Sequence, residues 1–143
     1  MPAFARGSRV YEVVWNLPQQ LLGTMDQERH SPEFTPETED AILFLEDINE
    51  PPYRIDRMLT YLKHVGKFKG VRAVVFGLMP DCHPSPQETY TLEDVIRDVL
   101  ADLPCPILYD FPSGHGGTNV TLPFGVRAAV EGATLSILEA PVS

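Results

Sequence analysis

The sequence has few cysteines and no long apolar run. Its two cysteines, Cys82 and Cys105, are too few and too widely spaced for a disulfide scaffold or a zinc ribbon. No segment reaches the length of a membrane span, and the amino-terminal stretch MPAFARGSRVYEVVW lacks the apolar core of a secretion signal. These absences predict a soluble, cytoplasmic protein with reduced thiols.

Basic residues are also scarce. The chain has 11 Lys and Arg against 20 Asp and Glu, a formal net charge of −9. Nucleic acid and anionic membranes would repel such a surface, so neither is expected as a partner. No glycine-rich phosphate loop or nucleophile elbow is present, and no cofactor is predicted. Hydrophobic residues at 43% and charged residues at 22% are typical of an ordinary globular domain.

Alternating apolar segments predict a small parallel β-sheet with crossover helices. The continuous apolar run at 41–47 is typical of a buried parallel strand, and apolar residues recur at helical spacing over 54–66. A second strand is predicted at 71–77, a helix beginning at Thr91 with a capping box, and a third strand at 107–110. This alternation predicts an α/β fold with right-handed crossovers.

The flanking segments are expected to extend or border this sheet. Residues 9–24 begin with a strand-like run and pass at Asn16 into a brief helix. Residues 25–40 are polar and rich in proline and charge, which predicts a loop or linker. The tail over 121–138 holds three β-like segments, TLPFG, VRAAV and TLSIL. The whole chain, 1–143, is predicted to form one domain.

Two segments that carry candidate catalytic residues follow predicted strands. Glu46 ends the strand over 41–45, and His115 lies between glycines just after the strand over 107–110. Because the carboxyl ends of parallel strands meet at one edge of a sheet, this carboxylate and imidazole are expected to converge. The pair suits a catalytic base oriented by an acid. Taken singly, each has a plain alternative: a strand-end acid and a flexible surface loop.

A nucleophile is missing from this arrangement. Ser113 is only two residues from His115, too close in the chain for the usual base–nucleophile hydrogen bond, and neither cysteine has an activating context. The nucleophile and its oxyanion donors are therefore expected to come from elsewhere. Asp81, Cys82 and His83 are consecutive, which disfavours convergence on one ion, and no metal site is predicted.

Two arginines open the helix that follows Glu46. Arg54 or Arg57 could bind a substrate carboxylate through both guanidinium nitrogens. The alternative is an ion pair with Glu50 or Asp56 on the surface.

Two long motifs, LFLEDINEPPYRIDRMLTYL (43–62) and FPSGHGGTNVTLPFGVRA (111–128), resemble the C-terminal domain of the LD-carboxypeptidases. These serine peptidases include the microcin-immunity peptidases. The resemblance runs over nearly the whole chain. It implies a swivelling β/β/α domain packed against an N-terminal nucleophile domain, and hydrolysis of an L,D-amide bond in murein tetrapeptides during cell-wall recycling.

The resemblance also implies roles for particular residues. The family's glutamate matches Glu46, its histidine matches His115, and its serine belongs to the N-terminal domain, which this sequence lacks. Arg54, Arg57 and Asn119 are expected to line the substrate cleft. The chain is then an excised domain, a truncated reading frame or a split subunit, and is inactive alone. Its partners would be a murein or related peptide and the nucleophile domain, in the same or another chain. The alternative is a non-catalytic binding or homodimerisation module.

Overall fold

The structure, a computed structural model, describes the backbone of residues 5–12 and all of residues 38–140. Within these residues the chain forms one sheet and two helices. The elements are β1 (Ala5–Glu12), β2 (Ala41–Leu45), α1 (Pro52–His64), β3 (Ala73–Leu78), α2 (Leu92–Val99), β4 (Ile107–Gly114), β5 (Arg127–Glu131) and β6 (Thr134–Ile137).

The sheet has six strands in the order β4-β3-β2-β1-β5-β6. Strands β1 to β4 pair in parallel, whereas β5 pairs antiparallel with β1, and β6 antiparallel with β5. The predicted α/β class, with three parallel core strands joined by crossover helices, is confirmed. Strand β1 adds a fourth parallel strand, and the β-rich tail extends the sheet as a hairpin.

Both helices lie on one face of the sheet. The step from β2 through α1 to β3 and the step through α2 to β4 move the same way along the sheet, so right-handed crossovers put both helices on one side. The buried cluster on that face holds Leu43 and Leu45 of β2, Val74 and Phe76 of β3, and the apolar stripes of both helices. The alternate residues of these strands, Ile42, Phe44, Ala73 and Val75, pack with Ala128 and Val130 on the other face.

The helix ends follow the expected chemistry. Helix α1 begins at Pro52, two residues before the predicted start, because proline needs no hydrogen-bond acceptor in a first turn. At its end the N–H of Gly66 (φ 76°) donates to Lys63 O and that of Lys67 donates to Leu62 O, a Schellman motif. Helix α2 is preceded by the predicted capping box at Thr91. Among the described helices, none is both long and apolar enough to cross a bilayer.

Two boundary predictions are wrong. Strand β4 continues to Gly114 rather than stopping at residue 110, because an edge strand tolerates Pro112, whose missing N–H needs no partner on the open side. Residues 121–125 form no strand, and the hairpin begins only at Arg127. The predicted helix after Asn16, and the predicted loop at 25–40 apart from residues 38–40, lie outside the described residues.

Candidate active site

Glu46 is the first residue after the carboxyl end of β2. The five residues of β2 are all buried, so the chain emerges from the core directly at this side chain. Its carboxylate remains largely covered, with 13% of the side chain exposed. An acid at this point is held by a rigid, central strand, which fixes where its oxygens lie.

His115 follows the carboxyl end of β4, two strands away. The pairing of β4 with β3 is irregular: Val75 is opposite Leu108, Gly77 is opposite Phe111, and Leu78 is opposite Gly114. The chain of β4 therefore contains extra residues that β3 does not match, as in a β-bulge. These residues let the end of β4 cross the end of β3, which brings the following imidazole to Glu46.

The two predicted residues meet. The ring Nδ1 of His115 lies 2.6 Å from Oε2 of Glu46. An ionised carboxylate can only accept, so Nδ1–H donates and the neutral ring carries its lone pair on Nε2. The His115 side chain is 55% exposed. A neutral imidazole held in this tautomer by an acid is suited to take a proton at Nε2 and to be stabilised once charged.

Three glycines make the approach of β4 to Glu46 possible. A Cβ on Gly77 would lie 2.5 Å from Ser113 O and 2.6 Å from Phe44 Cζ. One on Gly114, where φ is +116°, would lie 2.9 Å from Glu46 Oε2. One on Gly116 would overlap the side chain of Leu78. A side chain at Gly77 would displace the backbone of Ser113, and one at Gly114 would be strained by its positive φ and would contact the carboxylate.

Asn119 closes the segment that carries His115. Its Oδ1 accepts from the N–H of Gly114 at 3.2 Å and from the hydroxyl of Ser113 at 3.3 Å. Ser113 is buried and its hydroxyl donates to this amide, so this serine has a structural role although it lies only two residues from His115. The predicted contact of Asn119 with substrate stays a prediction.

The arginines lie on the first turns of α1. Nη1 of Arg54 lies 3.2 Å from Glu50 Oε2, and its Nε donates to the Tyr53 hydroxyl at 3.4 Å. These two hydrogen bonds raise the pKa of Arg54 above its usual value. Arg57 is exposed one turn further on. The surface ion pair that was the alternative for these arginines is therefore present at Arg54, and the binding of substrate by Arg54 or Arg57 stays a prediction.

The thiols and the tripeptide 81–83 show no sign of reactive chemistry. Cys82 is buried and Cys105 partly so, and burial raises the pKa of both thiols, which disfavours the nucleophilic thiolate. Cys82 points inwards while Asp81 and His83 are exposed, so the three do not converge. Within the described part of the chain, no three His, Cys, Asp or Glu side chains are grouped as metal ligands.

Asp47 is a buried carboxyl beside the pair. Only 7% of the residue is exposed, and Oδ1 accepts from the N–H of Ile48 at 2.8 Å. Its Oδ2 has no hydrogen-bond partner within the described residues. Burial, and then the charges of Glu50 and Glu46, raise the pKa of Asp47, although the Ile48 hydrogen bond and His115 oppose this.

Glu46 and His115 were predicted from the sequence, whereas Gly77 and Asp47, which lie beside them, were not. Gly77 was visible only as the last residue of a buried strand, and Asp47 as one more acid after Glu46. A glycine that ends an otherwise β-branched and aromatic run is the signal that could have marked Gly77 as a point of close approach. Nothing in the sequence marks the second oxygen of Asp47 as unpartnered.

Comparison with known proteins now identifies the family. The sequence profile of the LD-carboxypeptidase C-terminal domain matches residues 17–130. The chain belongs to the LD-carboxypeptidase family. A putative carboxypeptidase of Synechocystis is 41% identical to this domain over 109 residues, which cover 74% of the chain and 36% of the relative. The murein tetrapeptide carboxypeptidase of Pseudomonas aeruginosa is 35% identical over 92 residues, covering 64% and 30%.

A solved structure supports the same assignment. The muramoyltetrapeptide carboxypeptidase of Oxalobacter formigenes superimposes with a TM-score of 0.72 at 26% identity, over 94% of this chain and 45% of that one. The fold is thus that of an LD-carboxypeptidase C-terminal domain. The chain spans about a third of the length of the curated relatives it matches.

The close approach at Gly114 predicts a destabilising substitution. In this LD-carboxypeptidase domain, Gly114→Ala puts a methyl group against Glu46 Oε2 at a φ of +116°. We expect the free energy of unfolding to fall by about 1–3 kcal/mol, the usual cost of overpacking or backbone strain. We also expect the downfield Nδ1 proton resonance of His115 to be lost in NMR spectra. Gly117→Ala is the matched control, because a Cβ there meets nothing within 4 Å; equal effects of the two variants would contradict the argument.

The raised pKa of Asp47 predicts that this carboxyl destabilises the fold in a pH-dependent way. The folded chain binds this proton more tightly than the unfolded chain, so this carboxyl lowers the free energy of unfolding as pH rises from near 3.8 through its raised pKa. Asp47→Asn keeps an oxygen for the Ile48 N–H and removes the charge. Denaturant unfolding across this pH range should therefore show the stability of the variant rising relative to the wild type. A difference that does not change with pH would refute the assignment.

Proposed function

We propose that this chain supplies the histidine and the glutamate of a serine LD-carboxypeptidase that hydrolyses an L,D-amide bond of murein tetrapeptides. The serine comes from a nucleophile domain, carried by the same polypeptide or by a second one. The observation that carries the proposal is the 2.6 Å contact between His115 Nδ1 and Glu46 Oε2 at the edge of the sheet. A cytoplasmic location and a part in cell-wall recycling belong to the same proposal.

The two nitrogens of His115 have different roles in the proposed reaction. Nε2 accepts the serine proton as the serine oxygen attacks the carbonyl carbon of the scissile amide. Glu46 stabilises the resulting imidazolium through Nδ1. The same proton then passes from Nε2 to the leaving amine, and terminal D-alanine departs. Nε2 then takes a proton from water as the water oxygen attacks the acyl carbon, and it returns that proton to the serine oxygen as the bond between serine and the acyl group breaks.

Two arginines on the first turns of α1 are the candidates for binding the peptide. In the proposed complex, Arg54 or Arg57 binds a carboxylate of the peptide. Glu50 already holds Arg54 at 3.2 Å, so Arg54 is pre-oriented but partly neutralised. Arg57 is the more exposed of the two. A guanidinium is well suited to this role because its paired N–H groups match the geometry of a carboxylate.

Exposed apolar side chains near the pair support a contact with the nucleophile domain. Ile48 and Tyr53 follow Glu46 in the chain, and Val120 and Phe124 follow His115; all four are large and exposed. Apolar surface beside a polar site is typical of an interaction surface. The greater length of the relatives is consistent with a further domain in this position.

A chimera tests the catalytic proposal. This chain would replace the matching region of the Pseudomonas aeruginosa murein tetrapeptide carboxypeptidase, and D-alanine release from a murein tetrapeptide would be measured. We expect activity, and we expect His115→Ala to lower kcat by about 10⁴- to 10⁶-fold, the usual cost of losing a catalytic base. Glu46→Gln should cost about 10⁴-fold because it no longer fixes the tautomer or stabilises the imidazolium.

His83→Ala is the matched control for that experiment, since His83 is exposed and lies outside the pair. Its kcat should equal that of the unmodified chimera. A chimera that unfolds cooperatively yet releases no D-alanine, or a His115→Ala variant with full activity, would overturn the proposal.

The 143-residue chain on its own should not hydrolyse the tetrapeptide. Ser113 is buried and bonded to Asn119, and burial disfavours both thiolates. D-alanine release would be followed over hours at high protein concentration, with the active chimera as the positive control. Release that increases with the concentration of the isolated chain would show that it contains a nucleophile.

A further inference from the structure

The segment that carries His115 is a closed loop. The N–H of Val120 donates to the carbonyl of Pro112 at 2.7 Å, which joins the two ends of the loop. Inside this closure, Asn119 Oδ1 receives both the Gly114 N–H and the Ser113 hydroxyl. Both donors come from the two residues immediately before His115.

The amide oxygen of Asn119 accepts its hydrogen bonds at the end of β4, where that strand has no partner strand left to pair with. Strand β4 is at the edge of the sheet and its pairing with β3 ends at Gly114. The N–H of Gly114 donates there to a side-chain oxygen instead of to a neighbouring strand. The same oxygen satisfies the buried hydroxyl of Ser113.

We propose that Asn119 is a positioning residue for His115, and that its amide oxygen holds the loop while its amide nitrogen makes no contact that the reaction requires. The inference rests on the proposed function, and it explains how the catalytic base of that function, His115, is held in place. His115 is more than half exposed, so packing restrains it little. The position of its ring depends on Gly114, which pairs with Leu78 of β3 and whose N–H donates to Asn119 Oδ1.

Removing the oxygen should therefore disturb catalysis more than binding. In the active chimera, Asn119→Ala leaves two donors without their acceptor, and we expect kcat to fall by about 10²-fold, as a displacement near 1 Å typically costs. KM should stay within about two-fold, because a group that acts only on the chemical step leaves ground-state binding unchanged. Thr118→Ala, at the exposed neighbouring residue, should change neither value.

Asn119→Asp separates positioning from substrate contact. Aspartate keeps an acceptor oxygen at nearly the same place and replaces the amide nitrogen by a second oxygen. If Asn119 positions the loop, this variant recovers kcat to within about ten-fold of the unmodified chimera. If Asn119 instead binds substrate through its nitrogen, both variants raise KM strongly and Asn119→Asp recovers nothing, which would overturn the inference.

Hydrogen exchange in the 143-residue chain tests the loop without any activity. We expect the Gly114 amide proton to exchange slowly in the wild type and in Asn119→Asp, and at least about ten-fold faster in Asn119→Ala. Fast exchange of Gly114 in the wild type would overturn the inference even if Asn119→Ala failed to fold. An inactive chimera with a protected Gly114 amide would count against the proposed reaction and in favour of the loop assignment.

Discussion

The hydrogen bond between Glu46 and His115 joins two strands that are not neighbours. In the order β4-β3-β2, strand β3 separates them, and two strand spacings amount to about 10 Å. Here the chain of β4 itself crosses the end of β3, because a Cβ on Gly77 of β3 would lie 2.5 Å from Ser113 O and one on Gly114 would lie 2.9 Å from Glu46 Oε2. Gly77 has no Cβ and so leaves room for the carbonyl of Ser113, and the extra residues of β4 give its chain the length to cross.

Charge around this bond is arranged asymmetrically. Glu46, Asp47 and Glu50 lie within five consecutive residues, yet they have different surroundings. Glu46 contacts His115, and Glu50 contacts Arg54. Asp47 is buried with a raised pKa and an unpartnered oxygen. Burial, and then the charges of Glu50 and Glu46, disfavour the ionised form of Asp47, whereas Glu46 and Glu50 each contact a basic side chain.

The sequence predicted the strands and the pair because both follow from local periodicity and from one topological rule. The buried runs at β2 and β3 and the capping box at Thr91 are local patterns, and parallel strand ends converge regardless of detail. The strand predicted over 107–110 continues to Gly114, because the edge position permits Pro112 within it. The double acceptor role of Asn119 depends on loop closure, which no periodicity encodes.

The geometry of the pair also limits how a serine can reach it. Nδ1 of His115 faces Glu46, so in the proposed reaction the serine must approach Nε2, the nitrogen on the opposite side of the ring, to within about 3 Å. The ring is largely exposed, and the apolar side chains of Ile48 and Val120 lie on the segments that flank the pair. A domain that delivers the serine would cover these side chains and exclude water from the imidazole at the same time. The surface that binds the domain and the surface that completes the site would then be the same, so hydrolytic activity would arise only upon association.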